Sequence, residues 1–135
     1  MKQEPSMDAW LKEAKQSPEA AQIGMYLTHN GVVRQTARAT VRPEEMPNDE
    51  NAGKTVASVS FSYEQAQLDE AVEEARTWEG IHYVRVWLNE GTVAVGGSLM
   101  YVLIGADIRP HAVDALIRLV GNIKTNIVKE EEIYE

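Results

Sequence analysis

The chain has 135 residues, no cysteine and a formal net charge of −8, with 44% hydrophobic and 25% charged residues, which is the size and balance of one globular domain with its own core. Its acidity, with a sequence pI near 4.9, argues against nucleic acid as the main partner, and the missing cysteine excludes disulfides, thiolate metal sites and cysteine nucleophiles. No apolar run approaches the roughly 20 residues of a membrane span, and the polar start MKQEPSMDAWLKEAK lacks an apolar signal core, so the cytoplasm is the expected compartment.

Ser6 to Lys15 reads as a short amphipathic helix with Ser6 as N-cap and Trp10, Leu11 and Ala14 inward. Ser17-Pro18 stops it, and Ile23 to Arg34 reads as a strand in which Met25 and Leu27 alternate with Tyr26 and Thr28. Asn30-Gly31 is a hairpin-turn dipeptide, yet Val32 and Val33 resume the strand at once. A bulge that re-aims Arg34 is therefore expected there. Gln35 to Lys54 carries Pro43, Pro47, Asn48, Asp49, Asn51 and Gly53 with almost no periodicity, and is expected to be a long mobile loop.

Thr55 to Tyr63 alternates Ala57, Val59, Phe61 and Tyr63 with Ser58, Ser60 and Ser62, the pattern of a strand with one buried and one wet face. A helix to about Trp78 follows, burying Leu68, Ala71, Val72, Ala75 and Trp78 under a solvated acidic face. Ile81 to Leu88 is the third strand, Asn89-Glu90-Gly91 a turn, and Leu99 to Ala106 a fourth strand apolar on both faces, which suits a central place in a sheet. The last helix, Pro110 to about Ile123, shows Val113, Leu116, Ile117, Val120 and Ile123 at helical spacing, with Asp107 as its expected N-cap. Residues 130–135 form an acidic tail. One α+β domain over 1–135 is expected, with a mostly antiparallel sheet and about three helices.

Enzyme signatures are scarce: the sequence has no Walker loop, GxGxxG, HExxH or GxSxG. His29, His82 and His111 have no ligand spacing, so no metal site is expected. What remains is a set of cations at element ends, Arg34, Arg109, Lys124 and Lys129. Gathered together, they would bind a phosphate or carboxylate. A lysine in such company can also do nucleophilic chemistry, although Lys124 by itself equally suits a helix C-terminus.

These residues, in their order, resemble the large, catalytic subunit of molybdopterin synthase. The resemblance rests on Gly31-Val32-Val33-Arg34 after the first strand and on the acidic helix SYEQAQLDEAVEEA. It continues through the glycine turn before the last apolar strand, Asp107-Ile108-Arg109 where the family has Ala-His-Arg, Ile123-Lys124, and Val128-Lys129-Glu130. The departures are Ile108 in place of the family's histidine and Leu88-Asn89-Glu90-Gly91 in place of a His-Arg-x-Gly turn. The Lys124 to Lys129 interval is also two residues shorter and lacks its proline link.

The resemblance implies an α/β-hammerhead type of α+β domain that forms a homodimer and needs no cofactor of its own. It implies a ubiquitin-like small subunit whose Gly-Gly tail ends in a thiocarboxylate, and cyclic pyranopterin monophosphate as the sulfur acceptor. Lys124 and Lys129 would be catalytic, and Arg34 and Arg109 would bind substrate. The alternative is a non-catalytic relative that binds a ubiquitin-like tail or a pterin phosphate.

Overall fold

The computed structural model describes residues 2–135. Helix α1 (Met7–Ala14) begins at Ser6, whose Oγ accepts from the Ala9 N–H at 3.3 Å, and it buries Trp10 and Ala14 as its spacing predicts. A 3₁₀ turn (Ala20–Gln22) precedes the expected strand and takes Ile23 as its C-cap, so β1 runs Met25–Val32. The expected bulge is present: the register slips between Gly31 and Val32, Val33 N–H bonds Gly97 O at 3.0 Å, and Arg34 leaves the sheet.

The segment after β1 holds the single-turn helix α2 (Arg38–Val41) and one bridge between Thr36 and Thr55. Strand β2 (Val56–Tyr63) and helix α3 (Gln65–Ala75) follow, with Val59, Phe61, Leu68, Ala71 and Ala75 buried as expected. After β3 (Ile81–Leu88) comes a short strand β4 (Gly91–Ala94) that reads in the sequence as turn. Two glycines with positive φ, Gly91 at 90° and Gly96 at 86°, bracket it. Strand β5 (Ser98–Ala106) leads to α4 (Arg109–Asn122), a π turn (Ile123–Ile127) and β6 (Val128–Tyr134).

The strands form two antiparallel three-stranded sheets, ordered β1-β5-β3 and β4-β2-β6. β5 is central, and its two-sided apolarity has a direct cause. Val102, Ile104 and Ala106 join the main core under α3 and α4, whereas Leu103 packs on the other side with Trp10 and Ala14 of α1. The fold is α+β with four α-helical segments, α2 being the addition to the expected three. Among the described residues, no helix is long and apolar enough to cross a membrane.

Three expectations need correction. The buried face of α4 is Ala112, Ala115, Leu119 and Ile123, while Val113 and Ile117 are 41% and 67% exposed. Of the expected stripe, Ile123 is buried and Leu116 and Val120 pack partly against the core, so only Val113 and Ile117 turn outward. The N-cap of α4 is Ile108, not Asp107, whose Oδ1 instead accepts from Ile108 N–H at 2.7 Å and meets His111 Nδ1 at 2.6 Å. Finally, the acidic residues from Glu130 onward are built into β6, paired with the serine-rich strand β2. A charged strand is stable there because it lies at a sheet edge with one face wet.

Candidate functional site

Lys124 lies on the π turn that joins α4 to β6. Val128 N–H closes that turn on Ile123 O, an i→i+5 bond that admits one more residue than an α turn. Lys124 is on the π turn and Lys129 is the second residue of β6, and both are exposed. Lys129 stands opposite Ser62, on the wet face of β2, and Glu130 stands opposite Phe61, on the other face.

β1 supplies the second wall. Residues 25, 27 and 29 share a face, and Met25 and Leu27 pack against the main core, so His29 points to the α4 side of the sheet. Its ring lies over Gly31: a Cβ on that glycine would be 3.7 Å from His29 Nε2. Burial, and then the Lys124 ammonium, hold the His29 imidazole below its usual value of 6.5. Arg34 follows at the same end of β1, exposed beyond the bulge.

Arg109 lies elsewhere. Met25 pairs with Ala106 and Val32 with Ser98, so the start of α4 and the exit of β1 are at opposite ends of the sheet. Fifteen residues of mostly helical chain separate Arg109 from Lys124, about 20 Å at the helical rise. That is twice the Debye length of about 10 Å at 0.1 M salt. Within one chain, Lys124, His29 and Arg34 lie towards the exit end of β1, and Arg109 lies towards the other end.

The start of α4 has its own ionic cluster. The Asp107 carboxylate bonded to His111 Nδ1 raises the His111 pKa, and the same bond lowers that of Asp107. Glu79 adds a contact to Nε2 at 3.9 Å. Gly80, at φ 74°, is required beneath the pair, because a Cβ there would collide with the His111 ring and the Asp107 carboxylate. One surface cavity, of about 180 Å³ beside the Arg34 exit, is lined by Gln35, Thr36, Thr40, Gly53, Lys54 and Thr55. Another, of about 420 Å³ between the 3₁₀ turn and β3, includes His82, whose Nδ1 meets Glu19 Oε1 at 2.9 Å. Neither is lined by Lys124 or Arg109.

A family model described as MoaE protein matches residues 2–126. The chain belongs to the MoaE family. Comparison with curated proteins gives no match. Among solved structures, the chain is similar to molybdopterin synthase from Staphylococcus aureus, at 15% identity over 98% of this chain and 88% of that one, with a TM-score of 0.70. It is similar to the complex of subunits 1 and 2 of the molybdopterin-converting factor from Helicobacter pylori (17%, 96% and 76%, TM-score 0.64). It is also similar to molybdopterin cofactor biosynthesis protein E from Burkholderia multivorans (18%, 98% and 86%, TM-score 0.67). At such identities the structural likeness speaks for the fold, and family membership places the chain in molybdenum cofactor biosynthesis. Two features of this MoaE chain were not foreseen from sequence: the π turn and the approach of His29 to Lys124. The alternation of His29 with Met25 and Leu27 was the available signal for the second.

Proposed function

We propose that this chain is the catalytic subunit of a molybdopterin synthase. It takes sulfur from the thiocarboxylated tail of a ubiquitin-like small subunit and passes it to cyclic pyranopterin monophosphate. The observation that supports the reading is the exposure of Lys124 on the π turn, where its charge acts on His29 of the strand that delivers Arg34, with the exposed Lys129 following on β6. Both reactants are anionic, and a thiocarboxylate attacked or attacking at its carbonyl develops charge that fixed cations stabilise. Lys124 is the central catalytic lysine, Lys129 its neighbour in the pocket, and Arg34 a fork for the anionic groups of the substrate.

Arg109 serves the same substrate from the second copy of a homodimer, because its own chain holds it too far away. The exposed apolar residues Ile108, Val113 and Ile117 along α4 support such an assembly. Ile108, 52% exposed where the family has histidine, favours the second reading, a relative that binds the tail or the pterin phosphate without turnover. Incubating the protein with a thiocarboxylated small subunit and cyclic pyranopterin monophosphate decides between them. The synthase reading expects molybdopterin; binding of either reactant without product supports the second.

A further inference from the structure

Atom balance shows what the lysine site lacks. Under the synthase reading, on which this inference rests, the tail starts as a thiocarboxylate and ends as a carboxylate after giving up its sulfur. The replacing oxygen comes from water, and water adds to an acyl carbon readily only when a base takes its proton. Lys124, Lys129 and Arg34 are cations. Glu130 and Glu132 stand opposite Phe61 and Val59, on the other face of β6 from Lys129. Glu132 is also occupied by Arg38 N–H at 2.9 Å and Tyr134 Oη at 2.9 Å. Glu131 shares the Lys129 face but stands one pleat further from the π turn, opposite Ser60.

His29 is the base the geometry offers. It is half-buried on the α4 side of β1, with its ring laid over Gly31 towards the end of the strand that releases Arg34. Its cross-strand partner is Val102, and Met100 lies beside Gly31, so the neighbouring strand β5 presents it with no charge. On its own strand, Leu27 and Gly31 share its face. From the α4 side, the charged group that acts on it is Lys124, and burial first and then that charge lower its pKa and favour the neutral imidazole that can accept a proton.

We infer that His29 is the general base that releases the small subunit's tail. With the tail acyl group joined to the pterin through sulfur as a thioester, His29 takes a proton from water while the water oxygen bonds to the acyl carbon. The oxyanion that forms is stabilised by the Lys124 ammonium. Collapse breaks the carbon–sulfur bond, the electron pair leaves on sulfur, and the proton held by His29 passes to that sulfur or to solvent. Thioester and water become carboxylic acid and thiol, with no oxidant or reductant.

The test is single-turnover sulfur transfer by wild type, His29→Gln and His29→Ala, using the thiocarboxylated small subunit and cyclic pyranopterin monophosphate. Mass spectrometry follows the tail, and melting temperatures show that the variants fold. Tail release in His29→Gln should fall roughly 10²- to 10⁴-fold, with a tail–pterin thioester accumulating. The acidic limb of the wild-type pH–rate profile, lying below the usual imidazole value, should disappear. Added imidazole should restore part of the rate in His29→Ala, a response that a packing role would not produce. A wild-type rate and an intact acidic limb in His29→Gln would overturn the role of His29 alone. Absence of transfer by the wild type itself would overturn the synthase reading and this inference together.

Discussion

Lys124 carries the functional account at the scale of the residue. It is exposed, has no side-chain hydrogen bond or ion pair among the described residues, and follows a fully buried neighbour, Ile123, that packs in the core. Lys124→Ala should therefore leave stability within about 0.5 kcal/mol of wild type while abolishing sulfur transfer, a split that denaturant unfolding and a product assay measure together. The Asp107–His111 pair makes the opposite kind of prediction. The raised His111 pKa stabilises the fold fully below pH 6.5, and this support is lost as pH rises through the folded value. The lowered Asp107 pKa contributes above pH 3.8 and is lost as pH falls below it. Unfolding free energy should decline between mildly acidic and alkaline pH, and Asp107→Asn should flatten that decline. A decline of undiminished slope in Asp107→Asn would assign it to other groups. Family resemblance singles out Lys124 and Lys129 in the sequence as candidates. The partner of His29 was not legible there, because a strand residue and a turn nearly a hundred positions later meet only through tertiary packing.

Elements differ in how much of themselves they write into sequence. The serine alternation of β2 and the two-sided apolarity of β5 were legible because burial imposes a period of two or removes it. The π turn was not, since five residues with i→i+5 bonding leave no repeat to detect. β6 escaped for a related reason: KEEEIYE has no apolar alternation, and its partner strand decides its conformation. Deleting Thr125 should shrink the π turn towards an α turn and rotate Lys124 relative to Lys129. Sulfur transfer should drop with little change in secondary structure by circular dichroism; unchanged transfer would show that the width of the turn is immaterial. We also propose that the mobile part of 35–54 begins after α2. Ala37 and Ala39 are buried, and the Glu132 carboxylate holds Arg38 N–H, whereas the residues from Arg42 to Lys54 are mostly exposed. Limited proteolysis should cut first between 42 and 54, and primary cleavage elsewhere would refute this.

For the whole molecule, we propose that the separation of Arg109 from Lys124 makes a second copy part of the site. A C₂ dimer repeats each contact, so every site would take Lys124 from one copy and Arg109 from the other. The exposed stripe of Val113 and Ile117 gives such a dimer apolar surface to bury. Ile117→Asp should shift sedimentation towards monomer and lower sulfur transfer in parallel; a dimer that persists would move the interface off this face. Mixing two inactive variants tests the shared site. Lys124→Ala and Arg109→Ala, co-refolded in equal amounts, give half heterodimers with one of two sites intact, hence about a quarter of wild-type sulfur transfer. Recovery to about that level, with neither variant active alone, is the predicted result. A wild type that makes product while the mixture recovers nothing would contradict the shared site.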